Sequence, residues 1–158
     1  MVKIITKSCL IFIFFLTSNC GYKALDNSRV NNFHVIKIET SGNKRINFKI
    51  KNNLKIYSPE DTTDNLILEI YTEKNKKIKE KNIKNEITKY EISLSSNVKL
   101  NFLENNKEKE FIVLSAGDYK VGDKYSTTLN NEKRLIEDLT NNISNQIKNK
   151  INLILNDF

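Results

Sequence analysis

The chain is poor in the residues from which most small active sites and scaffolds are assembled. Its 158 residues include one histidine, two cysteines, one proline, four glycines and no tryptophan. One His and two Cys are too few for a zinc site of His and Cys ligands. They also leave little room for a His-dependent catalytic triad. Two cysteines exclude a disulfide-rich scaffold. So little Gly and Pro excludes a collagen-like repeat or a Pro-rich linker. What is present is 39% apolar and 28% charged, rich in Asn and Lys, with a formal charge of +7. That balance suits a folded domain and not a wholly disordered chain. The length fits one domain with an appendage.

The appendage is at the start. Lys3 and Lys7 flank the approach to residues 9–16, CLIFIFFL, an unbroken apolar run of eight. Such a run is long enough for a signal-peptide core and too short to span a bilayer. Thr17, Ser18 and Asn19 follow, and then Cys20-Gly21. An ordinary secretory signal with a chance cysteine would read this way. So would a lipoprotein signal cleaved before Cys20 and acylated there. The place of Cys20, straight after the apolar core, favours lipidation and resembles the bacterial lipobox, although Leu16 stands four residues before the cysteine and Asn19 just before it. Cys9 lies inside the apolar core and is read as part of it. The chain divides into a signal peptide (1–19), a lipid-anchored tether (20–32) and one domain (33–158). Cleavage would leave 139 residues with one cysteine, so no internal disulfide. Two or three acyl chains, at about 0.8 kcal/mol per buried methylene, anchor stably where one would not. Gly21 in place of an Asp leans towards the outer membrane, by resemblance to lipoproteins of this type.

The charge is local. Without Lys3 and Lys7 the excess is +5, and residues 74–84 hold all of it. There Lys74, Lys76, Lys77, Lys79, Lys81 and Lys84 stand against Glu80 alone. A uniformly basic surface would point to nucleic acid; one short basic segment on an exported chain does not. Two readings stay open: a solvated loop in a Lys-rich chain, or a contact with anionic phosphates such as those of lipid head groups.

Residues 33–39, FHVIKIE, read as a first strand. Val35 and Lys37 are expected on one face, Ile36 and Ile38 on the other. His34, at its start, is expected to be structural or exposed. Gly42 and Asn43 give turn chemistry. Ile46, Ile50 and Leu54 then step by four, which predicts a helix over 45–55, although Ile46, Phe48 and Ile50 also fit a strand. Ser58-Pro59 stops it, because the residue before proline avoids helical angles. Residues 66–73 predict a second strand, with 74–84 as a loop or mobile strand ends. Residues 86–103 alternate most clearly. Tyr90, Ile92, Leu94, Val98, Leu100 and Phe102 fall on one face, with Ser96 among them. Residues 104–107 suit a hairpin turn and 108–115 a returning strand. Ser115-Ala116-Gly117 has no base partner and reads as that strand's end. Residues 117–128 look irregular. A long helix over 130–155 follows, with Leu135, Leu139, Ile143, Ile147 and Ile151 in one stripe, widened by Ile136, Ile154, Leu155 and Phe158. A one-sided sheet and one-sided helices bury each other. The expected fold is therefore α+β in two layers: a four-stranded, largely antiparallel sheet with two helices packed on one face.

No acid–base pair, phosphate-cradling glycine loop or nucleophile elbow stands out. A hydrolase with a hidden carboxylate site would have no nucleophile to name. The expectation is a binding or structural protein, without catalytic residues, metal or cofactor beyond a covalent lipid on Cys20.

This order of elements resembles the LPS-assembly lipoprotein LptE family. The resemblance rests on Cys20-Gly21-Tyr22, on the first strand leading into a helix through a polar turn with Arg45, and on the long alternating strand TKYEISLSSNVKL with its hairpin. Tyr119, Tyr125 and the C-terminal helix with LTNNISNQIKNKI complete it. It covers nearly the whole chain after Cys20 and is one of order and pattern. It implies a non-enzymatic outer-membrane lipoprotein, anchored in the inner leaflet and facing the periplasm. Such a protein plugs an LptD-type β-barrel, helps assemble it and assists lipopolysaccharide delivery. The wet sheet face would meet the polar barrel wall. The lysines of 74–84 become candidates for lipopolysaccharide phosphates. No nucleic acid is implied. The alternative is a periplasm-facing scaffold or transporter-accessory lipoprotein without a barrel.

Overall fold

The computed structural model describes residues 33–55, 64–103 and 106–156. The signal, the tether, Cys20, the Ser58-Pro59 stop and Glu104-Asn105 of the hairpin turn lie outside the described residues, as do Phe158 and the side chain of His34. The elements are β1 (Phe33–Gly42), α1 (Lys44–Lys55), β2 (Asp64–Lys81), β3 (Ile87–Phe102), β4 (Lys107–Lys120) and α2 (Tyr125–Asn156). The sheet order is β1-β2-β3-β4. β1 runs parallel to β2, and the other pairs are antiparallel. A parallel pair needs a crossover, and α1 supplies it.

Period-two alternation organises the sheet. Ile92, Leu94, Val98 and Leu100 of β3 and Leu66 and Leu68 of β2 are fully buried on one face. The helical stripes meet them: Ile46, Ile50 and Leu54 from α1, and Leu139, Ile143, Ile147 and Ile151 from α2, in one core cluster. Phe48 is 67% exposed. That exposure decides between the two readings of residues 45–55, since a strand would have placed Phe48 beside Ile46 and Ile50. Four of the buried polar side chains pair locally. Thr72 and Ser96, opposite each other on β2 and β3, share a hydrogen bond of 2.8 Å. Thr140 and Ser144 donate to the carbonyls of Ile136 and Thr140, one turn back along α2.

Three expectations change, and one open choice is decided. Ile36 does not share a face with Ile38. A bulge between Val35 and Lys37 shifts the register, so Val35 and Ile38 pack on the core while Ile36 is exposed. Of the two readings left open for residues 74–84, strand and not loop holds as far as Lys81. Residues 74–81 extend β2, paired with β3 as far as Lys81 and Ile87. Residues 82–86 make the turn, where the Asn82 side chain accepts from the backbone N–H groups of Lys84 and Glu86, and Asn85 takes a positive φ of 62°. β4 continues past residue 115 to Lys120, and α2 begins at Tyr125 instead of 130. Gly117 lies within β4 because α2 comes close: a Cβ there would sit 2.7 Å from Leu135 Cδ1.

Gly42 is tied to its place more tightly. Its φ is +87°, and a Cβ would fall 2.3 Å from the Thr72 carbonyl oxygen. The next residue, Asn43, caps α1 by accepting the Ile46 N–H on its side chain. Both edges of the sheet receive side chains from the helices. Asn47 and Lys51 of α1 donate to the Ser41 and Ile38 carbonyls of β1. Asn131, Gln146 and Lys150 of α2 donate to the Lys120, Leu114 and Ile112 carbonyls of β4. Acceptors that would otherwise invite another strand are thereby occupied.

Candidate functional site

Strand geometry divides the lysine run between the two faces of the sheet. Lys74 and Lys76 continue the face of Leu68, Ile70 and Thr72, and so point to the helices. Lys76 Nζ lies 2.7 Å from Glu132 of α2 and 4.4 Å from the Tyr90 ring centre. Tyr119 stacks on Tyr90 with centroids 5.6 Å apart, and its hydroxyl donates to the same Glu132 carboxylate at 2.8 Å. Lys74 shares Glu132 at 3.8 Å. These groups close the end of the core where the apolar side chains run out.

Their protonation states are mutually set. Burial works against charge on Glu132, but the bonds from Lys76 and Tyr119 outweigh it and hold the carboxyl below its ordinary range. Burial likewise opposes charge on Lys76, yet its bonds to Glu132 and Tyr119 raise it above the usual ammonium value. Burial, then the nearby Glu132, pushes the Tyr119 phenol up, with Lys76 pulling the other way.

Lys77 and Lys79 face the open side. Lys77 pairs with Glu91 at 2.8 Å and Lys79 with Asp118 at 2.9 Å. The Lys79 contact holds Asp118 below its usual value, and Lys89 does the same for Glu80. Lys81 donates to Asn85 and Lys84 sits in the exposed turn. Among the described residues, neither Lys81 nor Lys84 has a carboxylate partner. The six lysines therefore do not form one patch. Two reach a half-buried carboxylate, Glu132, two belong to surface ion pairs, and two to the hairpin tip.

The open face is polar and layered. Across β2, β3 and β4 the rows read Tyr71–Asn97–Ile112, Glu73–Ser95–Leu114 and Asn75–Ser93–Ala116. Glu73, the one charged group in these rows, accepts from the Tyr71 hydroxyl. Ile112 and Leu114 are 56% and 66% exposed. Carboxylates gather beyond Tyr71, at Glu39, Glu69, Glu108 and Glu110, with Lys99 bound to Glu108 at 3.0 Å. Cations of the hairpin lie at the other end.

On the helical side, a cleft of about 420 Å³ opens where the N-terminal parts of α1 and α2 meet over Lys74. Ile46, Leu129 and Ile136 form its apolar lining, and Arg45, Lys49, Lys74 and Lys133 bring cations to it. No local pattern signals this convergence: Arg45 and Lys49 are one turn apart on α1, but Lys133 arrives from the other helix.

Nothing in these clusters has the form of a metal or nucleophile site. Among the described residues there is no group of three or more His, Cys, Asp or Glu able to hold a metal, and no helix long and apolar enough to cross a membrane.

No family model and no curated protein matches the chain. Solved structures do. Rare lipoprotein B of Shewanella oneidensis superposes with a TM-score of 0.61 at 11% identity, covering 77% of this chain and 97% of that one. The two share a fold. Lipoprotein B of Nitrosomonas europaea gives a TM-score of 0.56 at 13% identity, over 78% and 85% of the two chains. A Caulobacter crescentus structure described as a lipoprotein gives 0.55 at 12% identity, over 83% and 95%. These matches cover about four fifths of the chain, and at these identities the likeness is one of fold. The expectation of an LptE-like architecture agrees with it.

Proposed function

We propose that this chain is a non-enzymatic outer-membrane lipoprotein, held in the inner leaflet by an acylated Cys20 and facing the periplasm. It seats in the lumen of an LptD-type β-barrel, assists that barrel's assembly and helps deliver lipopolysaccharide to the outer leaflet. The observation that carries this reading is the fold shared with rare lipoprotein B over 77% of this chain, together with a Cys20 separated by three residues from an eight-residue apolar run. The sheet supports it. Its open face is polar, as the lumen wall of a barrel is, and helix side chains occupy edge carbonyls on both sides, so a partner is met by the face and not by strand addition.

Within the run of lysines, Lys81 and Lys84 at the hairpin tip are the strongest candidates for lipopolysaccharide phosphates, because no carboxylate competes for them among the described residues. Lys77 and Lys79 would have to exchange Glu91 and Asp118 for phosphate. Lys74 and Lys76 would have to abandon Glu132, and contribute least.

Purification of the tagged chain from membranes in mild detergent, with mass spectrometry of its partners and its N-terminal peptide, tests the assignment. A diacylated or triacylated Cys20 with a large barrel is expected. An acylated Cys20 without a barrel would leave a scaffold or accessory lipoprotein, and an unmodified Cys20 would overturn the anchor. In the same preparation, K81E/K84E is expected to weaken lipopolysaccharide binding severalfold more than K74E does; equal effects would refute the ranking.

A further inference from the structure

We infer that the cleft between α1 and α2 is a binding site for a single-chain anionic amphiphile: one anionic head group, such as a phosphate or carboxylate, joined to one short alkyl stem. It is separate from the lysines of the hairpin tip and does not depend on the barrel.

Three observations lead there. The first is size and shape. A volume of about 420 Å³ lies in the range of small-molecule sites, roughly 300–1,000 Å³. It is large enough for a head group with a short stem and too small for a multi-chain lipid. The second is the lining. Ile46 is 2% exposed at the bottom of the cleft, with Ile136 and Leu129 beside it. Apolar surface at the base and charge at the rim is the arrangement an amphiphile matches and a hydrated inorganic ion does not.

The third is the charge count. Two carboxylates line the cleft, and both are occupied. Glu132 is held from the sheet side by Lys76 and Tyr119, leaving Lys74 a contact of 3.8 Å. Glu137 faces Lys49 at 3.5 Å. Among the described residues, Arg45 and Lys133 have no carboxylate partner. Cations from α1, α2 and β2 therefore converge on one apolar floor with less negative charge than they need. An anion placed among them relieves that repulsion, and the low-dielectric floor strengthens the attraction. Arg45 contributes a planar fork suited to two oxygens of a phosphate or carboxylate.

The test uses the full acylated chain in nanodiscs of zwitterionic phosphatidylcholine, with isotope-labelled isoleucine and leucine methyl groups. Hexyl phosphate, inorganic phosphate and hexyl glucoside are titrated separately, and methyl shifts are followed by NMR. Hexyl phosphate is expected to saturate, with the largest shifts at Ile46, Ile136 and Leu129. Inorganic phosphate is expected to bind at least tenfold more weakly, because it lacks the stem. R45Q/K133Q should weaken hexyl phosphate at least tenfold, since the loss of even one charge-assisted hydrogen bond is worth about that much. K79Q, on the opposite face, should leave it unchanged.

Absence of saturation at these methyls overturns the site. Equal binding of inorganic phosphate would reduce it to a free-anion site and overturn the amphiphile. Equal binding of hexyl glucoside, or no effect of R45Q/K133Q, would remove the role of charge. Arg45 and Lys133 are exposed, and the unperturbed methyl spectrum of the core serves as the check that the variant is folded. Failure here leaves barrel copurification untouched, and failure of copurification leaves this cleft untouched.

Discussion

Residues 64–72 and 73–81 of β2 belong to one hydrogen-bonded ladder with β3, yet they are held to it by different forces. In the first half Leu66, Leu68 and Ile70 are 0–2% exposed beneath the helices. Burial supplies the driving force there, and the backbone bonds follow. In the second half every residue from Glu73 to Lys81 is exposed. Cross-strand charge pairs and the Lys76–Glu132–Tyr119 knot replace the apolar core. The lesson is that a strand can continue well beyond its hydrophobic reason, provided that its neighbour continues and the charges alternate in sign across the ladder.

The comparison predicts unequal costs. Leu68→Ala removes a fully buried side chain at the centre of the first half. It should destabilise the domain by about 3 kcal/mol, read as a shifted midpoint in urea unfolding. A loss below 1 kcal/mol would mean that the site collapses around the cavity, and that the first half is not anchored by packing.

The second half should respond most at Glu132. Three partners converge on this carboxylate, and Glu132→Gln should cost about 2 kcal/mol at neutral pH, the scale of hydrogen bonds to a charged group. The sign of the pH dependence follows from its depressed value. A carboxyl held low in the folded state contributes stability that is fully present above its unfolded value, about 4.3, and is lost as pH falls through the folded one. The gap between the natural chain and Glu132→Gln should therefore close on acidification below that value. A gap that stays constant down to acid unfolding would show that the carboxylate's charge is not what holds the knot.

How far such differences could be read from the sequence depended on the range of the forces. β3 was legible because alternation is local: Tyr90 to Phe102 declares the buried face without reference to anything else. The stripe of α2 was legible for the same reason, and the two together gave the layers. The second half of β2 was not. Its Lys, Asn and Glu residues have low strand propensity, and the partners that hold them are distant, Asp118 lying 39 positions from Lys79 and Glu132 lying 56 from Lys76. The bulge that turns Ile36 outward also escaped, since a one-residue shift leaves no mark on a run of β-branched residues. At the candidate site, the lysines stand out as a group because they are adjacent in sequence, but their division between faces depends on the strand. The α1–α2 cleft is tertiary throughout: no window of sequence contains both Arg45 and Lys133.

The smallest effect should come from the surface pair Lys77–Glu91. Its atoms are 2.8 Å apart, but the side chains are 63% and 24% exposed. Solvent screening and the entropy of holding two long side chains leave such a pair worth a few tenths of a kcal/mol. A double-mutant cycle of Lys77→Gln and Glu91→Gln should give a coupling of that size at low salt, and close to zero near 1 M salt, where the screening length is about 3 Å. If this pair alone tied the outer half of β2 to β3, the coupling would exceed 1 kcal/mol and survive salt, and the strand would fray to Glu73 when the pair was removed. The alternative is that the ladder and the turn built on Asn82 hold the strand, with each ion pair only biasing its register. Hydrogen exchange of the amides from Asn75 to Lys81 separates the two: protection retained in Lys77→Gln favours the ladder, and protection lost would return the control of this half to its charges.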